Sequence, residues 1–351
     1  MIRPFTLRDL ALVYRLNEQT VPLHIETALI EKGHPLRDAL INMLVGGHFP
    51  TFIWKGDEEG AAGFAQLHLG EDKTTAQLVY IGLDGDNRSV SDQPPAHWLP
   101  LLEQLIAEVG RQGIHNLTVQ VDENAPELVW LRQSGFAIYT RQDIWLAEPT
   151  AVKIPVSEPI LQARRQIDDW DIQLLYANLA PRLIQLVEPP PSLGFGQSWL
   201  LREKGELVAL VHVVQGRTGN WMRLFIHPNA ETSTERVIGD SCQLIGFDKQ
   251  PLYCCVRRYQ SWLQTPLEKS GFRHWGSQAL MVRHTVHHAQ TPAALKPLTK
   301  LETQPIAGPT NFSRPVHNGN IQRQHDGRFA GIVDITPYRH SDRSGQDRSR
   351  G

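Results

Sequence analysis

The feature that most constrains the fold is an internal repeat. Residues 1–285 read as one plan used twice, each pass closing on Leu-x-x-Ser-Gly-Phe, as Leu131 to Phe136 and as Leu267 to Phe272. Two such units suit a chain of 351 residues, because single domains commonly run to about 100–200 residues. Repetition of a whole order of elements constrains a fold more than any single motif does.

The first pass opens with Ile2-Arg3-Pro4 and the run Arg8 to Tyr14; the second opens with Arg165 and the run Asp169 to Tyr176. Alternating apolar patterns then predict hairpins, Thr51–Trp54 with Ala62–Leu69 and Ser198–Arg202 with Glu206–Gln215, split by turn residues at 55–60 and 203–205. A third strand is expected at Ala76–Leu83 and at Trp221–His227. In the first pass Trp98, Leu102, Leu105, Ile106 and Val109 then fall at helical spacing, with Gly110 and Gly113 closing the segment and Pro94 and Pro95 at its entry. In the second, Thr232 and Glu235 have the spacing of a capping box before Val237, Ile238, Cys242 and Ile245. A buried strand follows each helix, Asn116–Val121 and Leu252–Val256. Each unit ends with a short helix, the Ser-Gly-Phe, and a last strand at Ile138–Leu146 or Gln278–Arg283. Trp54 and Trp199, at equivalent hairpin positions, and Trp98, Trp130 and Trp262, in helical segments, are read as core residues.

The expected division is 1–148, a linker at 149–160 marked by interspersed prolines, 161–285, and a tail at 286–351. The tail holds nine Lys/Arg against five Asp/Glu, so the first 285 residues carry –6 of the chain's formal –2. Rich in Gln, Pro, His, Asn and Gly, it lacks the large apolar residues that would offset the entropy of ordering it and is expected to be disordered. Phe329–Tyr338 (FAGIVDITPY) is its one apolar stretch, either a short docking segment or an incidental patch.

A net charge this close to zero offers no basic surface for nucleic acid or an anionic membrane. No apolar run approaches the ~20 residues of a membrane span, and the N-terminal residues lack the basic-then-apolar order of a secretory signal. The three cysteines, Cys242, Cys254 and Cys255, give no disulfide framework, and no second Cys/His pair stands at ligand spacing, so no metal is expected and a cytoplasmic protein is.

This order, with its closing [ILVM]xxSGF element, resembles the GNAT acyltransferase superfamily over both units. The resemblance implies two consecutive GNAT-like α/β (α+β) domains, each with a mixed, mostly antiparallel sheet flanked by helices. Their central sheets are expected side by side, as a monomeric pseudo-dimer. It also implies acetyl-CoA or another acyl-CoA, held where the central strands splay apart, with pyrophosphate on backbone N–H groups at a helix start, and an amine acceptor, small-molecule or protein. The strand positions carried over are Ile81 and Leu83 in the first unit and Ile226 in the second.

The family's phosphate pattern, a Val-His-Pro-like strand end, two residues, then Arg or Gln and Gly-x-Gly, is only partly kept. Ile226-His227-Pro228 matches the strand end, but Glu231 stands at the basic or amide position and Thr232 and Thr234 at the two glycines. A carboxylate repels phosphate, and β-branched residues restrict close backbone approach. In the first unit Arg88, within the polar stretch Asp84 to Pro95, is the candidate phosphate partner. The family's usual general acid, a Tyr four residues before the closing Gly, is replaced by Leu131 and Leu267, while the amide seven residues earlier is present as Asn124 and Gln260. Candidate bases are Glu71, Asp84, His68, His212 and His227. Two readings stay open: an acyl-CoA-dependent N-acyltransferase, its activated thioester needing little beyond orientation, or a non-catalytic tandem domain that binds a small molecule or a partner.

Overall fold

Twelve strands in order across one continuous sheet, with a thirteenth tucked against its middle, dominate the computed structural model, which describes residues 1–31, 33–57, 61–71, 73–84, 97–149, 158–191, 196–246 and 249–285. The tail, Phe329–Tyr338 and the loop with Arg88, Pro94 and Pro95 lie outside these residues.

The first half supplies β1 (Ile2–Pro4), α1 (Leu10–Leu16), β2 (Val21–Pro22), α2 (Ile25–Ile30), α3 (Pro35–Val45), β3 (Thr51–Lys55), β4 (Ala62–Leu69), β5 (Thr75–Leu83), α4 (Trp98–Arg111), β6 (Asn116–Asp122), α5 (Glu127–Gln133) and β7 (Ala137–Ala147). The second supplies β8 (Gln162–Ala163), α6 (Asp169–Leu179), α7 (Arg182–Gln185), β9 (Gln197–Glu203), β10 (Glu206–Gln215), β11 (Asn220–Ile226), α8 (Thr234–Ile245), β12 (Leu252–Arg257), α9 (Gln264–Lys269) and β13 (Arg273–His284). The hairpins and buried strands expected from the sequence are present. β13 starts five residues before the expected Gln278, because it runs the length of two neighbours at once.

Both faces of the sheet are covered, so its strands read apolar on both. In the first half Phe52, Trp54, Ala65 and Leu67 meet Trp98, Leu101, Leu102, Leu105 and Val109 of α4, whose spacing of three and four residues makes one stripe. Ile53, Phe64 and Val79 point the other way, onto Val13, Leu16 and Ala39 of α1 and α3. The second half repeats the pattern, with Val237, Ile238 and Cys242 of α8 on one face and Ile172 and Leu175 of α6 on the other. Each Ser-Gly-Phe turns the chain with a positive φ, +82° at Gly135 and +93° at Gly271, and seats its Phe in the core.

Two expectations are corrected. The cap of α8 is Ser233, whose side chain accepts from Arg236 N, and Thr232 lies outside the helix. Trp262 is 37% exposed because the kinked 3₁₀ segment Arg258–Leu263 buries Leu263 instead; the other four tryptophans are core.

The sheet runs β1-β3-β4-β5-β6-β13-β7-β12-β11-β10-β9-β8. The last strands are exchanged: β13, from the second half, lies antiparallel between β6 and β7, while β7, from the first, lies antiparallel between β13 and β12. Neither half completes its own sheet.

Candidate functional site

In each half the one parallel pair of central strands separates after a few residues. β5 and β6 pair only over Thr75–Gln77 with Asn116–Thr118, and β11 and β12 over Asn220–Arg223 with Leu252–Cys255. Beyond those points a wedge opens, and the backbone groups facing it need partners.

The first wedge is filled by the chain itself. Val21 and Pro22 of β2 pair with Ile81 and Tyr80. Leu23 N donates to Val79 O at 2.8 Å and Gln120 N donates to Leu23 O at 2.7 Å, so one residue bridges both separated strands. Leu23 is 1% exposed. Ile81 and Leu83, carried over as cofactor-facing positions, are core residues, and Ile81 has its backbone paired to Val21.

The second wedge is closed by side chains. Gln260, 1% exposed, donates from Nε2 to Leu224 O at 3.0 Å. In the turn before α8 the N–H groups of Glu231 and Thr232 both donate to the Glu203 carboxylate, at 2.7 Å each. Lys204 and Gly205, both at positive φ, make the tight turn between β9 and β10 and set Glu203 there, and Lys204 itself pairs with Glu231. Burial would raise the Glu203 carboxyl; the two N–H groups outweigh it and hold the group below its ordinary value. Thr234 is the first residue of α8 and Ile226 is core. The N–H groups of the turn leading into α8 are thus taken by a carboxylate of the same chain.

The acyl-CoA implied by the resemblance therefore does not fit these residues as they stand. The first half offers no open wedge for a pantetheine arm, and the second has the N–H groups before α8 already bonded to Glu203.

The other predicted residues divide between two places. Asp84, at the end of β5, is ion-paired with Arg15. Asn124 is exposed and donates its backbone N–H to Asp122; the residue at the cap of α5 is Pro126. His227 sits where Asn229 N donates to its Nδ1. In contrast, His68, Glu71 and His212 line a cleft of about 680 Å³ on the opposite sheet face from α4 and α8, where the halves meet.

The remaining walls of this cleft come from residues the sequence reading missed. α2 crosses to the second half, with Thr218 N and Oγ1 donating to Ile30 O and Leu29 O at 2.9 and 2.8 Å, and brings His24 and Glu26 with it. Glu188, after α7, crosses the other way: its carboxylate accepts from Arg257 Nη2 at 2.8 and 2.6 Å and from Tyr139 Oη, with Arg223 Nη2 at 3.6 Å. Gln142 Oε1 accepts from Arg257 Nη1 and, at 2.8 Å, from Cys255 Sγ. Burial opposes the charge on Glu188, but Arg257 and Arg223 overcome it and hold the carboxyl below its usual range. Burial pushes His24 down to about 3, helped by His68, Arg223 and Arg257. Burial, Arg223 and Arg164 do the same to His212, which hydrogen-bonds Ser198. Burial lifts Glu26 to about 6 against the pull of Arg223 and Arg257. The available signal for these residues was a charged side chain in or beside an apolar strand, as in Cys254-Cys255-Val256-Arg257.

No protein-family model matches the chain and no curated protein is similar to it in sequence. Among solved structures it is similar to a GCN5-related N-acetyltransferase from Sphaerobacter thermophilus, with 12% identity over 81% of this chain and 95% of that one and a TM-score of 0.48. It is similar to a tandem GNAT protein from the clavulanic acid biosynthesis pathway, with 10% identity, 82% and 98% coverage and a TM-score of 0.47. It is also similar to a functionally unknown conserved protein from Staphylococcus epidermidis, with 12% identity, 66% and 94% coverage and a TM-score of 0.46.

Proposed function

We propose that this chain is a tandem GNAT-fold protein that holds a small molecule in the cleft between its halves, and that its own residues close the two slots where the superfamily keeps acyl-CoA. The observation that carries this reading is the pair of closures: Leu23 hydrogen-bonded to both strands of the first wedge, and Glu203 on the N–H groups of the turn before α8 in the second. A phosphate would have to displace a carboxylate already held by two short hydrogen bonds, with Glu231 adding like charge beside it.

The cleft supports the binding half of the reading. At about 680 Å³ it falls in the range of small-molecule sites, and it gathers strands and helices from both halves around a few convergent polar groups. Acyl transfer to an amine is the second reading, favoured by the retained Ile226-His227-Pro228 and by β11 and β12 parting after Arg223 and Cys255. Neither Leu131 nor Leu267, both buried, can protonate a departing thiolate.

Calorimetric titration with acetyl-CoA separates the two. The binding reading expects no heat from the natural protein at about 100 μM ligand, that is, binding weaker than roughly –5.5 kcal/mol. It expects measurable binding only when Glu203→Ala is combined with Thr232→Gly and Thr234→Gly. Micromolar binding by the natural protein would overturn it and establish the acyltransferase reading as the one to pursue.

A further inference from the structure

Most charges around the cleft are already matched. Arg257 is held by Glu188 through two hydrogen bonds, and Arg164 by Asp169 at 2.9 Å with a further bond to Pro191 O at 2.7 Å. Two are not. Among the described residues Glu26, half-buried on α2, makes no hydrogen bond or ion pair. Arg223 on β11, its side chain 21% exposed, donates no hydrogen bond; it has the long 3.6 Å approach to Glu188 and the face of Phe225 at 5.3 Å. No ion pair joins Glu26 to Arg223, although both line the cleft.

Charge left unmatched or loosely matched in a partly dry cavity is costly. Here the two are of opposite sign, come from different halves, and both line the cleft. On the two adjacent strands β7 and β12, Gln142 Nε2 and Arg257 Nε are buried donors with no acceptor. Together with Arg223 they make a wall short of acceptor oxygens, which a carboxylate supplies in the geometry a guanidinium prefers. On the other side, the Glu26 carboxylate lacks a donor, which an ammonium supplies.

We infer that the cleft binds a small zwitterion, a molecule carrying both a carboxylate and an amine, with the carboxylate on Arg223 and the ammonium on Glu26. The assignment rests on the cleft being a ligand site and names what that site takes. Because the two charged residues come from different halves, the ligand bridges them, and neither half binds it alone. His24, His68 and His212, all lowered by burial, stay neutral beside it and can serve as hydrogen-bond donors or acceptors without adding charge.

The test is calorimetry on the full chain with unbranched ω-amino acids of two to six carbons, n-butylamine and butyrate as probes. The expected result is one amino-acid length that binds at least about tenfold more tightly than either single-charge probe, a difference of about 1.4 kcal/mol. Glu26→Gln should then weaken that amino acid at least tenfold and leave butyrate unchanged, while Arg223→Gln should weaken both the amino acid and butyrate and leave n-butylamine unchanged, and Arg223→Lys should restore part of the loss. A cooperative thermal unfolding transition checks that each variant is folded. The zwitterion assignment falls if butylamine or butyrate alone binds as well as the best amino acid, if no probe binds, or if Glu26→Gln leaves the amino acid's affinity untouched. Failure of the underlying reading looks different: acetyl-CoA binds the natural protein and competes with whatever enters the cleft.

Discussion

The two halves meet the same problem with different chemistry. Both separate a parallel pair of strands and expose backbone groups to the wedge. The first half fills it with backbone, since Leu23 can both donate and accept. The second half's segment after its opening helices reads Val187-Glu188-Pro189-Pro190-Pro191, and three successive prolines have no N–H to donate. It bridges to β11 with the side chain of Gln260 instead, and Glu203 takes the N–H groups of the turn that follows β11. A side-chain closure can swing away or be mutated without disturbing the strands, whereas a backbone closure is part of the sheet. The second half is thus the one whose closure a side-chain substitution can undo.

The largest expected effect breaks the backbone closure. Leu23→Pro removes the N–H that reaches Val79 and a fully buried side chain, and should cost about 3–5 kcal/mol in urea unfolding. A loss below about 1 kcal/mol would mean that the bridge is incidental. Next comes the ion pair at the cleft floor within the second half: Glu188→Gln leaves Arg257 without its buried counter-charge and should cost about 3 kcal/mol, read in the same way. Glu203→Ala acts on the side-chain closure and should cost only about 1 kcal/mol, while making α8 newly able to bind inorganic pyrophosphate. If Glu203→Ala costs as much as Leu23→Pro, the contrast between the two closures is wrong.

The smallest effect has the opposite sign. Glu26 rises from its ordinary 4.5 to about 6 on folding. A carboxyl raised in this way costs stability above the folded value and nothing below the unfolded one. Glu26→Gln should therefore stabilise the ligand-free protein near pH 7 by about 1 kcal/mol, allowing for the water still beside the side chain, and by nothing at pH 4. His24 and His212, held near 3 by burial, work the other way. Each is neutral when folded and protonated when unfolded, so stability is complete above about pH 6.5 and falls as the pH drops from there toward 3. Chemical denaturation at pH 7, 5.5 and 4 separates the two contributions.

The elements were legible because they rest on local rules. The alternation through 62–69 and 206–215, the spacing of Trp98, Leu102, Leu105 and Val109, and the positive φ that Gly135 and Gly271 permit all act over a few residues. Where a nearby residue competes, the reading slips: Ser233 took the cap of α8 from Thr232, and Leu263 took the buried position from Trp262. The site was legible only in part. His68, Glu71 and His212 belong to the cleft, but Glu26, Glu188, Arg223 and Arg257 acquire meaning only when α2 and the segment after α7 cross to the opposite half. Nothing periodic marks such a crossing.

The exchanged last strands also bear on how the molecule is made. His284 reaches its neighbour Asn116 across 168 positions, so β6 emerges and then waits, one edge bare, until nearly all of residues 1–285 have been synthesised. At roughly 5–20 residues per second that delay is on the order of ten seconds, far longer than a hairpin needs to close. A nascent chain in that interval is at risk of pairing with another copy of itself. Severing the molecule between β7 and β8 should give two polypeptides that are poor folders apart and reassemble when mixed, each lending the other its final strand.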